Sequence, residues 1–176
     1  MATNEEPTES NEPTPPIVLL EGAFSGPVEF AQLVRNALAC AAEQGWSEMV
    51  WSDASFEDWP LRETVVVDAL NAWAGRGRKL TILASQFDSI VKYQPRFVTW
   101  RQRWDHIIEC RLAKQVDTSE FPSALWSPLW AMRRLDIARS TGMAGSEPLR
   151  RQRLREVLDE CRRHSGPGFS ASVLGL

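Results

Sequence analysis

Apolar and polar positions fall in blocks along this chain, and the period of each block points to an element. Ile17-Val18-Leu19-Leu20, Glu48 to Trp51, Lys79 to Ala84 and Ile107 to Leu112 are short, mostly apolar runs closed off by polar or turn residues, the pattern of strands buried on both faces. After the first run, Phe30, Ala31, Val34, Ala37, Leu38 and Ala41 recur at helical spacing, with Pro27 at the opening and Gly45 as the stop. After the second, Leu61, Val65, Val66, Ala69, Leu70 and Trp73 make one broad apolar face. Asp58 is positioned to cap that helix and Pro60 to sit in its first turn. A helical region after the third run is interrupted at Pro95, with Phe87, Ile90 and Val91 before the break and Phe97, Val98, Trp100 and Trp104 after it. This alternation predicts an α/β fold of three layers, a mostly parallel sheet with helices on both faces.

The second half is less regular. Residues 113–123 read as a loop, and Ala124-Leu125-Trp126 with Leu129 to Asp136 read as a hairpin around Ser127-Pro128. A helix opening near Pro128 is the alternative there. Ser146 as cap, Pro148 in the first turn and the stripe Leu154, Val157, Leu158, Cys161 predict a final helix, with Arg162, Arg163 and His164 in its last turn and Gly166 beyond it. Phe169 to Leu176 is apolar enough to dock on the body. Met1 to Pro16 holds Glu5, Glu6, Glu9 and Glu12 among Pro, Thr, Ser and Asn, without an apolar period. The expectation is a disordered acidic tail, 1–16, followed by one α/β domain, 17–176.

Composition changes this picture little. At 176 residues, 43% hydrophobic and 24% charged, with net charge -3, the chain can bury roughly 70% of its unfolded surface without a staple. The tail carries four of the 23 acidic residues, which leaves 19 against 20 basic ones in the rest. Global charge therefore selects no partner. No apolar run reaches the ~18 residues of a membrane span, and the first residues are acidic where a signal peptide is basic; a cytoplasmic protein is expected. Cys40, Cys110 and Cys161 lack metal spacing and read as reduced core residues, so neither a metal nor another cofactor is expected. Eight tryptophans against one tyrosine is unusual, and some of these rings are expected at an interface.

In open α/β sheets ligands bind beyond the carboxyl ends of the strands, which points to Ser52, Asp53, Ser85, Gln86 and Asp88 as candidate ligand-binding residues, beside Glu21, Ser25 and Lys114. Caps and turns use the same residue types, so this is a weak signal. The turn Gly22-Ala23-Phe24-Ser25-Gly26 has neither GxGxxG nor a following Gly-Lys-Ser/Thr, and reads as an ordinary turn. His106 and His164 have no nucleophile or carboxylate at telling spacing. Arg96, Arg101 and Arg103 interleave with Trp100 and Trp104 as candidate anion-binding residues, and Arg150, Arg151, Arg153 and Arg155 form a second basic segment. A nucleic-acid site built from both would need them on one exposed face. Trp59, Trp100, Trp104 and Trp130 are the candidate interface aromatics.

Trp59-Pro60-Leu61, Leu80 to Ala84, Pro95-Arg96-Phe97 with Trp100-Arg101 and His106, the Arg-rich last helix and Gly168-Phe169 to Leu174-Gly175-Leu176 resemble a proteobacterial family that has no activity to carry over. More distantly, the element order is similar to one half of a phospholipase D-like domain. That resemblance implies a His-x-Lys-x-x-x-x-Asp signature for phosphoryl transfer, and here His106 is followed by Ile107 and Ile108, and His164 by Ser165 and Gly166. The lysine is missing from both. The combined expectation is a non-catalytic binding or protein-interaction module on a degenerate scaffold of that kind. A phosphate-handling hydrolase or transferase using the strand-end loops is the first alternative. Binding of nucleic acid or another phosphoanion through the Arg/Trp segments is the second, ranked below a protein partner.

Overall fold

The computed structural model describes residues 15–114 and 116–170. In chain order these form β1 (Gly22–Phe24), α1 (Pro27–Gln44), β2 (Glu48–Ser52), α2 (Thr64–Trp73), β3 (Lys79–Ala84), α3 (Asp88–Tyr93), α4 (Pro95–Arg103), a 3-10 turn (Asp105–Ile107) and β4 (Ile108–Leu112). Then come β5 (Ser123–Trp126), β6 (Ala131–Asp136), β7 (Thr141–Gly145), α5 (Pro148–Arg163) and β8 (Gly166–Pro167). The strands make one sheet in the order β1-β7-β6-β5-β2-β3-β4-β8.

The α/β architecture with helices on both faces is as expected, but the sheet is mixed rather than mostly parallel. Only β2–β3 and β3–β4 pair in parallel among the described strands. The reason is connection length: a parallel pair needs a crossover, which α2 and the α3–α4 pair supply, whereas residues 127–130 and 137–140 only turn the chain back. β5–β6 and β6–β7 are accordingly antiparallel, and the predicted hairpin around Ser127 is real. Its tip is held by Ser127 Oγ, which donates to the Trp130 carbonyl at 2.7 Å and accepts from the Trp130 N–H.

Period-two alternation divides the sheet between two cores. Met49, Trp51, Leu80, Ile82, Leu125 and Met132 face one cluster, shared with buried residues of α1, α2 and α4. Val50, Leu83, Ala124 and Ala131 face the other, where α5 contributes Leu154, Leu158 and Cys161. Among the described residues, four helices thus lie on the first face and α5 alone on the second.

Several local expectations are corrected. Residues 17–20 form no strand; Ile17, Leu19 and Leu20 pack on the core, and the edge strand is Gly22–Phe24, paired with β7. β7 itself, Thr-Gly-Met-Ala-Gly, has too little apolar pattern to announce a strand and is made by its neighbours. Asp58 does not cap α2, which begins at Thr64, because its carboxylate pairs with Arg134. Ser146 does not cap α5, because the helix begins at Pro148 and its N-cap position falls on Glu147; the Ser146 backbone N–H donates to Glu21. Gly45 ends α1 in the left-handed region as read (φ 65°), and Gln94 with Pro95 separates α3 from α4. Phe169 stacks on Phe87 with ring centroids 5.4 Å apart. Residues 1–14 and 171–176, on which the disordered-tail expectation and most of the docking expectation fall, lie outside the described residues.

Candidate functional site

The strand-end residues do not assemble into an open site. Ser52 is buried and its Oγ donates to the Pro122 carbonyl at 2.7 Å; Ser85 Oγ donates to the Ala54 carbonyl at 2.8 Å. Gln86 and Asp88 are exposed. Asp53 is buried at the centre of a closed network. One of its oxygens accepts the Ser55 and Phe56 N–H groups at 3.1 and 2.9 Å. The other accepts Ser123 Oγ at 2.6 Å and Arg134 Nη2 at 2.7 Å. Arg134 also pairs with Asp58 and donates from Nε to Ser123 Oγ at 2.8 Å, and its guanidinium lies 4.0 Å from the Phe30 ring centroid. These groups satisfy one another, so the cluster anchors the loop after β2 to β6.

The aromatic and arginine candidates divide similarly. Trp59, Trp100 and Trp130 are core residues, and of the four proposed interface rings only Trp104 is partly exposed. Arg101 is buried, paired with Asp105 at 2.7 Å and donating to the Phe169 carbonyl at 3.1 Å, while Arg96 and Arg103 are exposed. The two basic segments do not share a face. Phe97 and Trp100 of α4 belong to the first core and Leu154 and Leu158 of α5 to the second, on opposite sides of the sheet. His106 is exposed beside Trp104, and His164 pairs with Glu160 at 2.7 Å. Burial pushes the Cys110 and Cys161 thiols up from their ordinary value, and both stay protonated. Among the described residues no His, Cys, Asp and Glu cluster of three or more could hold a metal ion, and no helix is long and apolar enough to cross a membrane.

One of the open grooves among the described residues, of about 380 Å³, lies between α5 and the second face of β6 and β7. Strand alternation builds one wall. Arg134 points into the first core, so its neighbour Arg133 must point the other way, into the groove. Met143 of β7 sits opposite Arg133. The α5 wall brings Arg150 and Arg153, one turn apart, with Leu149 and Val157. The apolar side chains are left exposed: Leu135 by 69%, Leu149 by 50% and Val157 by 38%.

Charge pairing separates the arginines of α5 into two groups. Arg151 donates to the Ser146 and Pro128 carbonyls, and Arg155 pairs with Glu48 at 3.1 Å and Asp159 at 2.9 Å over the Trp126 ring. Arg162 pairs with Glu109 at 2.7 Å. These brace α5 on the sheet. Arg150 pairs at the surface with Glu147 at 3.3 Å and interacts with the nearby Glu21 carboxylate. Arg133 and Arg153 face the groove with no ion pair or hydrogen bond among the described residues. The groove therefore offers an anion two uncommitted guanidinium groups and a third held only at the surface. Sequence reasoning named Arg150 and Arg153 but missed Arg133, whose only signal was its place next to a second arginine in a predicted strand.

No protein-family model and no curated protein matches the chain. Among solved structures, the fold is similar to that of TrmBL2, an archaeal chromatin protein described as showing a novel mode of DNA binding. The TM-score is 0.59 at 15% identity; the match covers 92% of this chain and 57% of that one. The chain thus spans little more than half the length of that neighbour. This corrects the expected protein-interaction module: its neighbour in fold is a DNA-binding protein, and three of the four aromatic side chains offered for a protein interface are interior.

Proposed function

We propose that this chain binds duplex nucleic acid through the phosphate backbone, along the groove between α5 and β6. The observation that carries the proposal is the pair of guanidinium groups, Arg133 and Arg153, without a partner among the described residues, on facing walls of one open groove, with Arg150 beside them. Arg150 and Arg153 are three residues apart on a helix, which places their Cβ atoms about 5–6 Å apart, close enough for neighbouring phosphates. The fold likeness to a DNA-binding chromatin protein supports the same reading. The groove walls are aliphatic and thioether as well as cationic, without an aromatic platform for stacking unpaired bases. Backbone contacts position a protein on a duplex without reading its sequence, so little sequence preference is expected.

Fluorescence anisotropy with a 20-base-pair duplex tests this. Three neutralised phosphates give a slope of log K against log salt near -2.7, roughly a 40-fold loss of affinity between 50 and 200 mM salt. Removing two of the contacts in R133Q/R153Q should reduce the slope by about 1.8. Undetectable binding, salt-insensitive binding or an unchanged slope in that variant would overturn the proposal.

A further inference from the structure

The groove between α5 and β6 is bounded on one side by a ridge that carries an exposed leucine beside an arginine. We infer that Leu135, on this ridge, enters the minor groove of the bound duplex and wedges between two base pairs, so that the chain bends the nucleic acid it holds. The inference rests on the nucleic-acid reading, and its test separates bending from binding.

A β-bulge sets the position of Leu135. β6 and β7 pair in step from Ala131–Gly145 to Arg134–Gly142, and pairing resumes at Asp136–Thr141. β6 therefore holds one extra residue, Leu135, which has no register partner on β7. A bulge of this kind re-aims a side chain, and Leu135 is left 69% exposed. Arg133 and Leu135 both line the α5 groove, and both line a second groove of about 690 Å³ bordered by Thr118, Ser119 and Ile137. The two side chains thus stand on a ridge between two depressions.

A single exposed leucine is ordinary on a protein surface; this one is set apart by its rigid base and by the cation beside it. Arg134, immediately before it, is locked to Asp53 at 2.7 Å and to Ser123 at 2.8 Å. Beyond it the turn is closed by the Arg139 N–H, which donates to Asp136 at 3.0 Å, and by the Ser140 N–H, which donates to the Ile137 carbonyl at 3.1 Å. The Gly26 N–H donates to the Ser140 carbonyl at 3.1 Å and ties that turn to the loop before α1. Leu135 projects from backbone held on both sides, so inserting it orders little of the protein.

Charge and spacing select the partner. Arg133 has no ion pair or hydrogen bond among the described residues, whereas the nearby acids Asp136 and Glu147 are offset by Arg139 at 3.6 Å and Arg150 at 3.3 Å. Glu120 lines the second groove, so the phosphates belong on the α5 side. Two residues along a strand span about 6–7 Å, close to two steps of about 3.4 Å along one nucleic-acid strand. Arg133 can therefore meet the backbone or the floor of a narrow minor groove while Leu135 meets a base step. Apolar side chains inserted there unstack the step and bend the duplex by about 20–90° toward the major groove.

The test uses the full chain and the 20-base-pair duplex, labelled at its ends with a fluorescent donor and acceptor, in one form with a central TA step and one with an A-tract. Saturating parent protein should raise energy transfer on the TA form. L135Q should bind with the same salt slope and leave transfer at the level of the unbound duplex, while L135M, which keeps an apolar wedge, should retain the rise. The parent should prefer the TA form by about three- to tenfold, because pyrimidine–purine steps are the most easily unstacked, and L135Q by less than twofold. The side chain is exposed, so both variants should unfold in urea with the parent. Salt-dependent binding without a rise in transfer overturns the wedge and leaves the backbone reading standing. A rise that persists in L135Q, or is lost equally in L135M, places the bend elsewhere and overturns the assignment to Leu135. Undetectable binding overturns the nucleic-acid reading and the wedge with it.

Discussion

Replacing Arg134 by methionine removes the counter-ion from a buried carboxylate while retaining much of the aliphatic packing. The Arg134 side chain is 1% exposed and that of Asp53 5%, whereas that of Asp58 is 44% exposed. Asp58 can turn to water when its partner is lost, so its share is at most about 1 kcal/mol. Asp53 cannot. It keeps the Ser55 and Phe56 N–H groups and Ser123 Oγ but would hold a negative charge in the core without compensation. Breaking a buried pair from one side costs about 3–5 kcal/mol, a large part of the ~5–15 kcal/mol that holds a domain folded. Equilibrium urea unfolding followed by tryptophan fluorescence should show R134M less stable by that amount. The double variant R134M/D53N should recover more than about 1 kcal/mol of it, because the amide carries no charge and still accepts from the loop N–H groups. If R134M lies within 1 kcal/mol of the parent, or if the two substitutions simply add, the network does not anchor the loop after β2 to β6 as argued.

Three other outcomes are expected. The Arg35 guanidinium, bonded to Glu63 at 2.7 and 2.8 Å, holds that carboxyl below its ordinary value of 4.5. The ion pair therefore stabilises fully above pH 4.5 and is lost as pH falls through the lower folded value; E63Q should show a shallower fall of Tm on acidification, and an identical profile would exclude the pair. At Gly142 a Cβ would meet the Arg133 carbonyl oxygen and, at 2.7 Å, the Phe24 ring. G142A should thus lose about 1–3 kcal/mol in urea, and hydrogen exchange should speed up along β6 and β7; a neutral result would mean the hairpin yields freely. The three cysteines are buried, so a thiol reagent should label them at the rate of unfolding and label all three at once in denaturant. Rapid labelling of the native protein would contradict this packing.

The helices from Pro27 and from Pro148 and the strands Glu48–Ser52 and Lys79–Ala84 could be read directly, because each is a local period ended by a local signal. The site could not. Ser52, Asp53 and Ser85 are polar residues at strand ends, and only the folded chain shows their oxygens consumed by Pro122, Arg134 and Ala54. Trp59, Trp100 and Trp130 look alike in sequence whether they fill a core or face a partner; burial is decided by elements far away.

By itself, then, the order of residues determined where the chain extends and coils and which side of each element is apolar, since those properties depend on neighbours a few positions away. Tertiary structure alone decided the antiparallel pairing of β1 with β7 and of β2 with β5, and it separated the two basic segments onto opposite sides of the sheet. It also decided which arginines are paired and which have no partner among the described residues. Arg133 and Arg134 are identical and adjacent, yet one closes a buried network and the other faces an open groove. The pleat turns successive side chains opposite ways, and only the completed layers settle which side is filled.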